Sequence, residues 1–253
     1  MTEQTIERQH LSSNIEHERI ARENAATELA RIAVARSGDY LADPENRLSY
    51  IASIGPEGLY KVAQYVNAKM RDEKPAMLRR DSDEKGAFLP ALHTPSYEDK
   101  IPAFQNGYRA IQEYIKDSTD PQETKVRGVA MATEALIIWV HPFNDGNGRT
   151  SRFFGKMIED GTTDIEGLTK QTASRLERRY VYNSKLRSKE SELAIASNPD
   201  ILLEDHERAE SQARAERLPN DIDAMYLSVK RLLENKEVQE RARRHLRPNP
   251  AAV

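Results

Sequence analysis

The 253-residue chain contains no cysteine. Disulfide frameworks, thiolate metal sites and cysteine nucleophiles are therefore excluded. It also lacks a long hydrophobic run. The longest purely apolar stretch, residues 135–140, is six residues, against the ~20 that a membrane-spanning helix requires. Neither sign of charge predominates: 38 Lys and Arg against 41 Asp and Glu leave a net charge of −3. Nucleic-acid binding through electrostatics alone needs a net basic face, so this balance argues against it. The first residues, Met-Thr-Glu-Gln-Thr-Ile-Glu-Arg, show no basic start followed by an apolar core, hence no secretory signal pattern. The expectation is a cytoplasmic protein without membrane or nucleic-acid partners, with export as an effector by another route left open.

What the chain does have is charge in quantity. Charged residues make up 31 % and hydrophobic ones 38 %, and the mean hydropathy is −0.76. The length suits one large domain, or one domain with helical appendages. Apolar residues recur at three- and four-residue spacing over residues 14–36, 56–70, 103–115 and 124–140, which predicts helices. The stretch 124–140 is the most hydrophobic and is expected to be the central core helix. Further helices are expected over 149–160, 170–196 and 221–246. Residues 71–102 break the pattern with charges, Gly86 and prolines at 90, 95 and 102, predicting turns and a hairpin near residues 81–86. From residue 188 onward apolar positions are sparse, so this tail reads as a solvated helical extension or a partner-binding surface.

One twelve-residue stretch carries the chemistry: His141-Pro142-Phe143-Asn144-Asp145-Gly146-Asn147-Gly148-Arg149-Thr150-Ser151-Arg152. Pro142 and Gly146 disrupt helix while both flanks are helical, so it reads as a loop between two helices. The Gly-Asn-Gly run leads into a helix N-terminus, where exposed N–H groups and the positive dipole end make an anion cradle. Arg149 and Arg152 lie three apart on the following turn and can fork onto neighbouring phosphates. Asp145 is a hard oxygen ligand of the kind that holds Mg²⁺ together with phosphate oxygens. His141, at the end of the apolar helix, is a candidate general base. Each feature alone has a plainer reading as a cap, a turn or a solvated face; their combination points to a nucleotide-phosphate transferase.

The stretch matches all nine specified positions of H-P-F-x-[D/E]-G-N-G-R-x-x-R and so resembles the Fic family signature. The resemblance implies an all-α Fic fold: a helical bundle with the signature loop between two core helices and a small β-hairpin flap. It implies transfer of AMP from ATP to a Tyr, Thr or Ser hydroxyl of a target protein or of the enzyme itself, with Mg²⁺ as cofactor. In those terms His141 deprotonates the hydroxyl and Asp145 holds the metal. Gly146, Asn147 and Gly148 form the anion hole, while Arg149 and Arg152 receive the β- and γ-phosphates. Phe143 is expected in the core, anchoring the loop.

Weaker resemblances extend the picture. Residues 78–95 sit where Fic proteins carry the flap, with an ordinary long loop as the alternative. Tyr182 lies in a short Tyr-containing stretch like the one near the family's adenine pocket, though a core tyrosine would read the same way. Ser12 and Glu16 partly match the inhibitory pattern [S/T]-x-x-x-E-[G/N], with His17 in the last position. On that reading Glu16 pairs with Arg152; otherwise Ser12 is an N-cap and Glu16 an early-helix acid. The expected organisation is an N-terminal helical segment with the inhibitory motif over 1–49, the catalytic core over 50–190 and a charged C-terminal helical extension over 191–253. Expected partners are ATP, a target protein presenting a hydroxyl side chain or the chain itself, and a further copy of the chain in a homo-oligomer or an antitoxin-like regulator. The alternatives are a related transfer such as UMP, removal of AMP, or a catalytically silent interaction protein.

Overall fold

The computed structural model describes residues 40–71, 94–165, 185–197 and 203–237. Among them are seven helices and no strand: α1 (Pro44–Arg71), α2 (Lys100–Asp117), α3 (Gln122–Val140), α4 (Asn147–Asp160), α5 (Lys189–Ser197), α6 (Asp205–Ala215) and α7 (Asp221–Glu234). The all-α expectation holds. The expected helix over 14–36, the inhibitory motif with Ser12 and Glu16, all but the last two residues of the flap over 78–95, and Tyr182 lie outside the described residues. No described helix is long and apolar enough to cross a membrane.

Helix α3 is the centre, as its composition predicts. It packs on α1, α2, α4 and α7, and Leu136, Ile137 and Trp139 are wholly buried. A helix apolar on every side is satisfied only when neighbours cover all of them.

Helix α1 begins twelve residues earlier than the pattern suggests, at Pro44 rather than Pro56, because two helical runs are joined across a kink at Gly55 (φ 74°, ψ 165°). The proline has no N–H for the Ala52 carbonyl, which instead accepts from Gln112 Nε2 of α2 at 2.9 Å. The Gly55 N–H donates to the Tyr108 hydroxyl at 3.1 Å, and that hydroxyl donates to the Ile51 carbonyl. Side chains of α2 thus satisfy the backbone groups freed by the kink.

The far end of α4 is anchored as firmly. The buried Arg47 of α1 donates to the carbonyls of Leu41 at 2.7 Å, Ala42 at 3.0 Å, Ile158 at 3.4 Å and Glu159. One guanidinium closes the C-terminus of α4 against the start of α1, with the cation at the negative end of the helix dipole.

The C-terminal region departs from the expected solvated tail. In α7, Met225, Val229, Leu232 and Leu233 join the main core, and the helix packs along α2. The sparse apolar residues fall at three- and four-residue spacing, so few of them suffice to make one buried stripe. Helix α6, which no apolar period announced, is stabilised by a capping box between Glu204 and Glu207. Residues 185–188 are non-helical, so the described part of the expected 170–196 helix starts only at Lys189.

Candidate functional site

The signature stretch lies where α3 ends and α4 begins. His141 is the C-cap of α3, its N–H donating to the Ile137 carbonyl at 3.1 Å. It adopts a left-handed conformation (φ 51°, ψ 58°), the sole non-glycine with positive φ among the described residues. Pro142 disfavours the right-handed helical region for the residue before it, so the chain turns sharply here. A strained cap of this kind holds a side chain in a set direction only where its surroundings are rigid.

That rigidity comes from Phe143 and Asn147. Phe143 is fully buried and stacks on Tyr60 of α1 at 6.1 Å between ring centroids; Tyr60 in turn meets the edge of Phe104 of α2. Burial, with the neighbouring Tyr97 phenol, pushes the Tyr60 hydroxyl well above its ordinary pKa, so it stays neutral. The Asn147 amide accepts from the Phe143 N–H at 3.0 Å and donates to the Phe143 carbonyl. Its side chain is therefore used in closing the loop, and only its backbone remains to meet an anion.

Gly146 is the N-cap of α4, with φ 78°. A Cβ there would also sit 2.6 Å from Asn67 Nδ2, so both backbone conformation and space require glycine. Its carbonyl accepts from the N–H groups of Arg149 at 3.1 Å and Thr150 at 2.9 Å, and its own N–H points to Asp145 Oδ1 at 2.6 Å. The Asn147 and Gly148 N–H groups have no acceptor among the described residues. These are the orphan donors that every helix start presents, here between the loop that carries Asp145 and the turns of α4 that carry Arg149 and Arg152.

Asp145 is exposed, and one of its oxygens, Oδ2, lies 3.3 Å from Arg149 Nη2 and 3.7 Å from Arg71 Nε. Arg149 also reaches the Met70 carbonyl at 3.5 Å. Arg152 lies three residues along α4 from Arg149 and is half-buried. Among the described residues no three His, Asp or Glu side chains cluster to hold a metal unaided. A lone exposed carboxylate beside helix N–H donors suits a hard cation that brings its own phosphate oxygens.

The structure thus joins Asp145, Gly146 and Arg149 by direct contacts, with His141 at the C-cap of the preceding helix and Asn147, Gly148 and Arg152 on the helix that follows. It adds two residues of α1 that the motif does not contain. Asn67, 1 % exposed, donates to the Asp145 carbonyl at 2.9 Å and to Thr150 Oγ1 at 3.1 Å. Arg71 pairs with Asp145 from the last turn of α1. The sequence carried a faint signal for Asn67: a polar residue on the buried stripe of Ala63, Val66 and Met70. Arg71 gave none, since a helix-end arginine is ordinary.

Residues 36–158 match the Fic/DOC family. That match spans α1 to α4 and includes the whole signature corner. No curated protein and no solved structure matches the chain.

Proposed function

We propose that the chain is a protein adenylyltransferase, moving AMP from ATP to a Tyr, Thr or Ser hydroxyl of a target protein or of itself, with Mg²⁺ as cofactor. The observation that carries this reading is the pair of orphan N–H groups at Asn147 and Gly148, flanked in the chain by Asp145, Arg149 and Arg152 and preceded by His141 at the C-cap of α3. The Fic/DOC match supports it, since that family is generally associated with nucleotidyl transfer.

In this reading the N–H donors at the start of α4 bind phosphate oxygens, and Arg149 and Arg152 receive the charge of the β- and γ-phosphates. His141 accepts the proton of the target hydroxyl as its oxygen attacks the α-phosphorus. The bond from that phosphorus to the bridging β-oxygen breaks, and pyrophosphate leaves with the electron pair. Asp145 would hold Mg²⁺, which supplies charge neutralisation on the phosphates and so makes the α-phosphorus a better electrophile. AMP passes directly from ATP to the target hydroxyl with no covalent enzyme intermediate, so a chain without cysteine needs no nucleophile of its own. Positioning and preorganised charge do the catalysis.

Incubation with Mg²⁺ and ATP labelled at the α- or the γ-phosphate, for wild type and His141→Ala, tests the reading. Label on protein from α-labelled ATP alone, absent in the variant, is the expected result. Label from neither nucleotide across a broad target panel, with Glu16→Gly equally silent, would overturn it. The Glu16→Gly arm also tests the proposed brake, which predicts more self-modification than in wild type.

A further inference from the structure

We propose that Arg71 is a third phosphate-binding arginine of this corner, one that holds the Asp145 carboxylate while the nucleotide is absent and exchanges it for a nucleotide phosphate when metal and nucleotide arrive together. The proposal rests on the nucleotide-binding reading above and extends it to a residue outside the signature, on a different helix.

The geometry of Asp145 is the starting point. Its Oδ2 sits between two guanidinium groups, Arg149 Nη2 at 3.3 Å and Arg71 Nε at 3.7 Å. A divalent cation placed on that oxygen alone would meet two positive charges 3.3 and 3.7 Å from it, well within the distance over which salt screens even exposed charges. A cation that arrives with phosphates meets a different balance. The phosphate oxygens accept from the arginines, the carboxylate is released, and every charge keeps a partner. Asp145 is therefore a poor metal ligand until phosphate is present, and metal binding becomes conditional on nucleotide.

Arg71 is built for this exchange. Its side chain is 19 % exposed against 67 % for Asp145, so the arginine stem is the more confined of the two partners. A Cβ on Gly146 would lie 3.2 Å from Arg71 Cδ, which places the arginine stem against the same glycine whose neighbours present the orphan N–H groups. The helix that carries it is fixed in register with the loop by Asn67, four residues earlier, through the Asp145 carbonyl and Thr150. Arg149 is tied to the same helix end through the Met70 carbonyl at 3.5 Å. A short motion of the guanidinium, rather than a shift of α1, would thus transfer Arg71 from carboxylate to phosphate, and the fork of an arginine suits a phosphate edge better than a lysine would.

The test compares wild type, Arg71→Gln and Arg71→Lys in the full chain. It measures binding of Mn²⁺ alone, as a spectroscopically visible substitute for Mg²⁺, and binding of α,β-methylene-ATP with Mg²⁺ by calorimetry. For Arg71→Gln the expected result is opposite in sign in the two arms: about three- to tenfold tighter Mn²⁺ and about tenfold weaker nucleotide. Arg71→Lys, which keeps the charge, should keep the wild-type Mn²⁺ affinity and recover only part of the nucleotide affinity. A merely structural role would weaken both arms together, which would overturn the proposal, as would nucleotide affinity equal in wild type and Arg71→Gln. Wild type that binds no nucleotide would sink the adenylyltransferase reading itself. The circular-dichroism melt of each variant reports its folding, and Arg71→Lys carries the nucleotide comparison should Arg71→Gln be unstable.

Discussion

The corner where α1 meets the start of α4 and the seam where α2 meets α7 are both helix–helix contacts, but they are held by different forces. In the corner the contacts are polar and directional: Asn67 to the Asp145 carbonyl and Thr150, Arg149 to the Met70 carbonyl, Asn147 to both backbone groups of Phe143. In the seam the buried contacts are apolar and close, and polar ones such as Tyr226 to Glu113 lie at its exposed edge. A Cβ on Gly107 of α2 would lie 2.4 Å from Leu136, 3.0 Å from Met225 and 3.3 Å from Val229, so the glycine lets α7 approach until its side chains fill the groove. Hydrogen bonds fix position at modest net stability, roughly 0.5–1.5 kcal/mol each. Buried apolar side chains supply more stability and less directional control. The corner is thus built for positioning and the seam for holding the fold together.

The largest expected effect separates the two functions of the molecule. On the proposed adenylyltransferase reading, His141→Ala should lower AMP transfer by about 10²- to 10⁴-fold, the range for loss of a general base, while thermal unfolding stays close to wild type. A melting curve that collapses instead would mean that the left-handed cap at His141 serves the fold.

The seam predicts the reverse. Met225→Ala removes a side chain that is 1 % exposed and should destabilise by about 2–5 kcal/mol, read by chemical denaturation, with transfer per folded molecule unchanged. Reduced turnover in the folded fraction would show that α7 reaches the site energetically.

Asn67→Ala lies between these cases. It removes two hydrogen bonds and leaves the Asp145 carbonyl without that donor, a loss of about 1–3 kcal/mol. Activity should fall more than stability does, through a higher KM for metal–nucleotide. An equal loss in both would make Asn67 an ordinary buried polar residue.

The smallest effect lies away from both regions, at the turn between α2 and α3. The hydrogen bond from Lys236, then that from Tyr114, lowers Asp120 to about 2. The folded value is depressed, so its contribution is complete above the unfolded carboxylate value of ~3.9 and is lost as pH falls through the folded value. Lys236→Met should therefore flatten the acid dependence of the melting temperature between about pH 4 and 2. Lys236 is 48 % exposed, so the effect at neutral pH should stay under about 1 kcal/mol. A larger change would mean that this exposed pair holds α7 in place.

The two regions were unequally legible before folding. The corner's loop stands out in the sequence because its features are contiguous: twelve residues contain the histidine, the aspartate, the glycines and both arginines. The joined helix α1 could not, because Gly55-Pro56 is a stop signal unless a neighbour supplies the missing hydrogen bonds, as Tyr108 and Gln112 do. Helix α7 was read as a tail because its buried stripe is narrow and its other faces are charged.

By itself the sequence determined a cysteine-free, helical chain without a long apolar run, and a loop whose residue types suit phosphate binding and proton transfer. Those properties depend on side-chain chemistry and on spacing along one helix turn, which are local. Only the tertiary structure decided that Asn67 and Arg71 belong to the same corner. The hydrogen bonds from Asn67 span 78 and 83 positions of chain, and no local periodicity encodes such a meeting. It arises because the apolar stripe of α1 must be buried against the same core that receives α4, and that packing carries the polar residues at its edge into the loop.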